Sequence, residues 1–375
     1  VDVAKMVNAG STMNEPRRWW ETPHFAIFLV LTTMIPLIWP DIPPLVDLPG
    51  HMGRYRVQLD LAQSDALRHF YGFEWRLIGN LGIDLLVIPL EPIFGLELAV
   101  KLVVLMIPPL TAAGLLLIAR VVHGRLPPTA ALALPFAYSF PFHFGFINYC
   151  LAIALAFLAF ALWRWLAIRG RFVLRAILFV PLSALLWVVH TFGWGVLGVL
   201  AYAAEMVRRR DAGQSWLKAA LKAAYDCLPL ALPMLLMIAW RTGHVGGRTI
   251  DWFNWSHKFR WYYMILRDRW TLFDVDCILF LTAFILVAIV AAAFRWRIDF
   301  SRMLAMFAIF LTLVFLLLPR IVFGSAYADM RLAPYAFAMT LLAIRFRPNV
   351  SNRALHWLAV ASLAFFVVRI GATSV

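Results

Sequence analysis

The chain has 375 residues, 63% of them hydrophobic and 14% charged, with a mean hydropathy of +0.80 and a formal net charge of +14. A soluble core cannot hide that much apolar side chain, whereas a bilayer accepts it, so the composition points to an all-α polytopic membrane protein with one membrane domain over residues 1–375. The basic residues punctuate apolar runs, as in loops facing anionic lipid, and this placement excludes nucleic acid as the partner.

Arg17 and Arg18 precede the first apolar run, and no small-residue cleavage site follows it, so the pair with Phe25–Trp39 reads as a signal anchor. A spanning helix needs about 20 apolar residues. Eleven transmembrane segments are expected, at 23–40, 95–120, 127–143, 146–166, 173–190, 192–207, 219–240, 275–294, 302–322, 331–346 and 353–371. The third, sixth and tenth are the shortest or are interrupted by Pro and Gly. Basic residues concentrate in one set of short connections, among them Arg120, Arg169, Arg208, Arg295 and Arg347. That asymmetry predicts a cytoplasmic N-terminus in a bacterial inner (plasma) membrane and puts the two long loops, 41–94 and 241–274, on the outer face.

In the first extracytoplasmic loop, Met52, Tyr55, Leu59, Ala62, Ala66 and Phe70 recur at steps of three or four, which predicts an interfacial amphipathic helix. Ile83–Ile88, followed by Pro89-Leu90-Glu91-Pro92, suggests a short re-entrant piece. The second loop is crowded with Trp252, Trp255, Trp261, Tyr262, Tyr263 and Trp270, residues suited to the headgroup layer. Gly243, Gly246 and Gly247 at its start permit close backbone approach. Ala112-Ala113-Gly114 and Gly193–Gly198 supply small residues for helix contacts. Cys150, Cys227 and Cys277 form no Cys-x-x-Cys pair, so neither a disulfide framework nor a zinc site is expected.

Asp47 is the first candidate for chemistry. An acid at a loop is ordinarily solvated, but Pro43, Pro44 and Pro49 stiffen this one and His51 lies within reach. A carboxylate held beside a membrane pocket can deprotonate a hydroxyl. His51 has two readings, orienting Asp47 or binding a phosphate oxygen on one side and capping a helix on the other. Arg54 and Arg56 suit lipid phosphate or anchoring of the surface helix. His143, Asn148, Tyr149 and His190 are expected at the same end of the helices, either bonding helix to helix or lining a cavity. Glu97 with Lys101, and Lys222 with Asp226, have the spacing of local ion pairs. Arg241, Arg248, Arg320 and Arg331 flank the expected cavity, and a guanidinium binds phosphate through a planar fork of donors. Each also suits simple positioning at the headgroup layer. Arg320 ends an otherwise apolar helix and is the strongest of the four. Asp329 and Arg331 could pair locally or form a second element of the site.

Asp47-Leu48-Pro49-Gly50-His51, the amphipathic 52–70 segment and the eleven-span layout together resemble the GT-C fold of membrane glycosyltransferases. That resemblance implies an acidic motif in the first extracytoplasmic loop, surface-lying helices after it, and a polyprenyl-phosphate-linked sugar as donor substrate. It makes Asp47 the general base, with membrane lipids and the donor as partners. Many members carry two neighbouring acids, but the acid nearest Asp47 is Asp41, so no metal and no other cofactor is expected. Two other functions stay open. A lipid-linked saccharide transporter or flippase predicts mid-membrane charges and related halves, and the sequence shows few of the former and none evident of the latter. A non-catalytic scaffold would keep the fold and bind another membrane protein.

Overall fold

The computed structural model describes residues 17–244 and 247–374, with the side chains of 239–244 excepted, so the Arg241 side chain and Gly246 lie outside the described residues. The chain is helical nearly throughout. Helix α1 spans Pro23–Thr32, and a short 3-10 turn, Ile35–Leu37, leads into the first long loop. That loop holds α2 (Leu48–Asp60), α3 (Asp65–Phe70) and α4 (Gly82–Phe94). The amphipathic stripe of 52–70 is thus split in two. Ser64 caps α3 by accepting the Leu67 N–H at 3.3 Å, and this break rotates the second half away. Met52, Tyr55 and Leu59 pack on the core, whereas Phe70 is 75% exposed. The expected re-entrant piece is the continuous helix α4, which buries Ile83, Asp84 and Val87 on one face despite Pro89 and Pro92.

Helix α5 (Leu96–His123) runs the length of the bundle and stops at Gly124, whose φ of 78° suits a left-handed cap. Residues 127–143 do not continue as a long α-helix. Pro127, Pro128, Pro135 and Pro141 remove ladder donors. The chain instead forms a 3-10 helix, Ala130–Tyr138, with every residue buried, followed by the one-turn helix α6 (Phe140–His143). Then come α7 (Ile147–Ile168), α8 (Phe172–Val189) and α9 (Thr191–Asp211). Helix α10 (Trp216–Asp226) and helix α11 (Leu232–His244) follow, bent by 48° at their junction. Beyond the second loop, with its helix α12 (Trp255–Tyr263), lie α13 (Thr271–Ala293), α14 (Arg302–Leu317), α15 (Ala333–Ala343) and α16 (Asn352–Thr373). The only sheet among the described residues pairs β1 (Ile298–Phe300) with β2 (Ile344–Phe346), antiparallel, with Asp299 opposite Arg345.

Five helices, α5, α7, α8, α13 and α16, are long and apolar enough to cross a membrane, or six if the bent α10–α11 pair is one span. In α5, 67% of the most apolar window is buried by protein, against 33% in α8, α13 and α16. Helix α5 therefore lies inside the bundle and the other three form its lipid-facing wall. Chain direction alternates, so the basic connections gather at one end and the Asp47 loop lies at the other. At the basic end Arg18 donates to Asn352 at 2.6 Å and Arg302 meets Asp211 at 2.6 Å.

Two expected local ion pairs are replaced by distant ones. Lys101 donates to the Ile38 carbonyl at 2.9 Å, while Glu97 lies 3.8 Å from Arg56. Asp226 accepts from Arg208 and Arg209 instead of pairing with Lys222.

The small residues are not equivalent. A Cβ on Gly193 would stand 2.5 Å from the Ala152 Cβ and 2.7 Å from its carbonyl oxygen, so α9 crosses α7 at backbone distance there. Gly198 faces open space. Gly193→Ala is expected to lower stability by about 1–3 kcal/mol through overpacking, whereas Gly198→Ala leaves it unchanged or raises it by up to about 1 kcal/mol. Thermal unfolding in detergent, followed by circular dichroism, compares the two.

Candidate functional site

The site is built on a short backbone splice. Val46 N–H donates to the His143 carbonyl at 3.1 Å and Asp47 N–H to the Phe144 carbonyl at 3.0 Å. The turn that receives them needs Gly145: its φ is 97°, and a Cβ there would lie 2.8 Å from the Asp47 nitrogen. Leu45 and Leu48 are buried on either side. Asp47 occupies the cap position of α2, yet its carboxylate accepts no N–H of its own helix. It is left to act on other groups, and the two it influences through space are His51 and Arg331.

His51 lies one turn along α2, between Asp47, Arg54 and Asp84. Burial first, and then the Arg54 guanidinium, push its imidazole below the ordinary pKa, against the pull of both carboxylates and a bond to the Gly145 backbone. It is therefore neutral near pH 7. Burial similarly raises the Tyr55 phenol on the next turn.

Arg54 is committed to an acid that the sequence reading passed over. Its Nη1 lies 2.7 Å from Asp84, whose side chain is 1% exposed, while its buried Nη2 has no partner. Asn148 completes this knot. Its Nδ2 donates to Asp84 at 3.1 Å and to the Asn80 side chain at 3.1 Å, and its Oδ1 accepts the Ile83 N–H at 2.6 Å. Asn148 thus ties the start of α4 to the start of α7 and is a structural bond, one of the two roles its position allowed. Asp84 could have been found: it is a lone acid in the apolar run Gly82–Ile88, and such a group needs a partner.

Arg331 lies in the 3-10 turn Asp329–Arg331 that precedes α15. It is 7% exposed and meets no carboxylate at ion-pair distance among the described residues. Its side chain touches the Ser325 hydroxyl only at 3.5 Å, and its Nε has no partner. Aromatic faces enclose it instead: Phe146 at 4.3 Å, Phe192 at 5.2 Å and Tyr149 at 5.6 Å from the guanidinium carbon. The Tyr149 hydroxyl donates to the Arg331 backbone carbonyl and so fixes the turn. His190 packs edge-on against Tyr149 at 5.7 Å, and its Nδ1 accepts the Phe192 N–H at 3.1 Å, which makes it a neutral cap of α9. Asp47, His51, Arg54, Asn148, Tyr149, His190 and Arg331 thus come to one end of the bundle.

The other candidates lie apart. Arg320 bonds Asp251 at 2.5 Å, an acid that Asn254 first and Arg320 next hold below its usual pKa. One of its donors is therefore committed to a carboxylate, which offsets its charge. Arg248 is exposed. Asp329 does not pair with Arg331: it meets Lys258 at 3.2 Å, and Lys258 also donates to the Phe315 and Leu318 carbonyls. His143 turns to the far side of the splice. There it lines a cavity of about 370 Å³ with Tyr138, Arg267 and Asp268, its Nε2 3.7 Å from the Asp268 carboxylate.

Compared with protein-family models, curated proteins and solved structures, the chain matches none.

Two outcomes follow from the splice. Gly145→Ala costs about 1–2 kcal/mol in backbone conformation alone and displaces Asp47, which a lowered thermal midpoint in detergent reports. The His51 imidazole is harder to protonate in the folded chain than in the unfolded one, so stability is greatest above about pH 6.5 and falls as pH drops below it. His51→Gln is expected to flatten that fall between about pH 7 and about pH 5, measured as the thermal midpoint against pH.

Proposed function

We propose that the chain is a GT-C-like membrane glycosyltransferase that moves a sugar from a polyprenyl-phosphate-linked donor to a hydroxyl acceptor at the extracytoplasmic face. The observation that carries this reading is Arg331, a buried guanidinium without a carboxylate partner among the described residues, within electrostatic reach of Asp47. A buried cation left unpaired by its own chain is costly, and a bound anion removes that cost. A donor phosphate supplies such an anion, and an acid beside it supplies a base. In this reaction the acceptor oxygen attacks the anomeric carbon as Asp47 takes its proton. The bond from that carbon to the donor phosphate breaks, and its electron pair leaves with the polyprenyl phosphate. Arg331 stabilises the charge that develops there. Direct attack inverts the anomeric centre. Neutral His51 orients the Asp47 carboxylate, and the aromatic wall of Phe146 and Phe192 keeps water from the guanidinium.

The reading takes a layout of eleven crossings, five or six of them long and apolar enough to span alone and the rest shorter or less apolar. They are α1 with its 3-10 turn, α5, the buried 127–143 segment, α7, α8, α9, the α10–α11 pair, α13, α14, α15 and α16. The basic end would face the cytoplasm, with the N-terminus on that side, and the Asp47 loop would open outward from a bacterial inner membrane. Of the five phosphate-binding candidates, Arg331 takes the leading role, because Arg54 is paired with Asp84 and Arg320 with Asp251.

Transfer from a panel of polyprenyl-phosphate sugars, assayed in proteoliposomes, tests the reading. Asp47→Asn is expected to lower kcat by about 10²–10⁴-fold with the protein still folded. Arg331→Gln is expected to lower kcat/KM and to weaken donor binding. Undiminished transfer by Asp47→Asn removes the base role, and substrate translocation without any transfer by the native chain overturns the enzyme reading.

A further inference from the structure

A second charged pocket lies at the opposite end of the bundle, where α8, α9 and the α10–α11 bend meet. Among the described residues, Glu205 and Asp226 are the acids bound by Arg175, Arg208 and Arg209, and guanidiniums already saturate them; Asp211, at the end of α9, is paired with Arg302. Glu205 accepts from Arg175 at 2.6 Å, from Arg208 Nε at 2.6 Å and from the Trp163 indole at 3.1 Å. Asp226 accepts from Arg208 at 2.8 Å and from both Nε and Nη2 of Arg209, at 2.9 and 2.7 Å. Three arginines therefore surround two carboxylates. Arg164, on α7, lies within electrostatic reach of Glu205, Arg175 and Arg208, and its buried Nε has no partner. The cluster carries a surplus of positive charge, and each guanidinium has five N–H donors of which the acids use only some.

Arg175, Arg208, Arg209 and Asp226 line a cavity of about 560 Å³ between the helices. Its rim is apolar and outward-facing: Phe172 is 41%, Leu228 58% and Tyr225 71% exposed. Leu228 also borders a neighbouring apolar cleft of about 600 Å³ between α9, α14 and the α10–α11 bend. A cavity of this size admits a small polar headgroup. Its surplus charge selects an anion, and its apolar rim selects one attached to hydrocarbon.

From this we infer that the Arg175–Arg208–Arg209 pocket binds the phosphate headgroup of an anionic phospholipid, with the acyl chains lying over Phe172 and Leu228. The site is separate from the Asp47 end and does not depend on the reaction performed there. Guanidinium forks hold the phosphate oxygens, and the lipid seats the bend between α10 and α11 against α8 and α9.

The test uses the full chain, delipidated in neutral detergent, with phosphatidylglycerol, phosphatidylcholine or inorganic phosphate added. Phosphatidylglycerol is expected to raise the thermal midpoint saturably and to survive as a bound adduct in native mass spectrometry. Phosphatidylcholine and inorganic phosphate are expected to do neither. In Arg209→Gln, where Arg208 still holds Asp226, the apparent affinity for phosphatidylglycerol is expected to fall about fivefold to tenfold. Arg210→Gln serves as the control, since Arg210 bonds the Gln214 backbone and stacks on Trp216 outside the pocket. An equal rise with phosphatidylcholine, the full rise with inorganic phosphate alone, or equal losses in the two variants overturns the assignment. The native-chain comparison of the three additives decides the matter even if Arg209→Gln does not fold.

Discussion

Two backbone hydrogen bonds, from Val46 and Asp47 to the carbonyls of His143 and Phe144, hold the working end of this protein together. They join the segment after the first apolar helix to the turn between the buried 3-10 segment and α7. Once that join is made, the positions of α2, α4 and α7 are coupled. Leu48 and Tyr55 bury one face of α2, Arg54 reaches Asp84 on α4, and Asn148 on α7 binds both Asp84 and the Ile83 amide. The proline-stiffened approach lowers the entropy lost in ordering the loop. Gly145 lets the two strands of chain come close enough to bond.

The fold meets the cost of buried charge in two ways. At most sites it supplies an opposite charge and spare acceptors. Arg369 meets Asp274 at 2.6 Å and the Leu266 carbonyl at 3.1 Å. Lys258 meets Asp329 and two backbone carbonyls. Removing one member of such a pair strands the other and is strongly destabilising. At Arg331 the described residues supply aromatic faces and no carboxylate. Aromatic rings recover part of the lost hydration but cannot neutralise the charge. This contrast between satisfied and unsatisfied cations separates scaffold from site more sharply than residue type does.

That the chain is mostly helical, with several runs apolar enough to cross a membrane, was legible from apolar run length, because bilayer thickness sets it, but five or six helices have that length where eleven were expected. Asp47 was legible as a polar island at a helix boundary. What the sequence hid were the partners. Reasoning at short spacings joined Glu97 to Lys101, Lys222 to Asp226 and Asp329 to Arg331. In the fold Arg320 finds Asp251 at a separation of 69 residues, Lys258 finds Asp329 at 71, and Arg369 finds Asp274 at 95. Local spacing sees only one helix, while desolvation drives each buried charge toward whichever opposite group the tertiary fold brings near. The 3-10 segment was hidden for a related reason. Its apolar composition resembles that of a spanning helix, and only the four prolines of residues 127–143, one of them inside the segment, signal that the ladder cannot form.

Two short elements of the bundle are also among its most enclosed. Helix α15 has 11 residues and the 3-10 segment nine, and both are buried nearly all round. At about 1.5 Å per residue α15 extends roughly 16 Å, well short of a hydrocarbon layer about 30 Å thick. Protein covers the turn bearing Arg331 at its head, whose three residues are all buried. Non-helical backbone is stable away from solvent only when protein or a water-filled cavity covers it. A ligand that meets the Arg331 charge must therefore pass between or displace the side chains over it, among them Phe146 and Phe192.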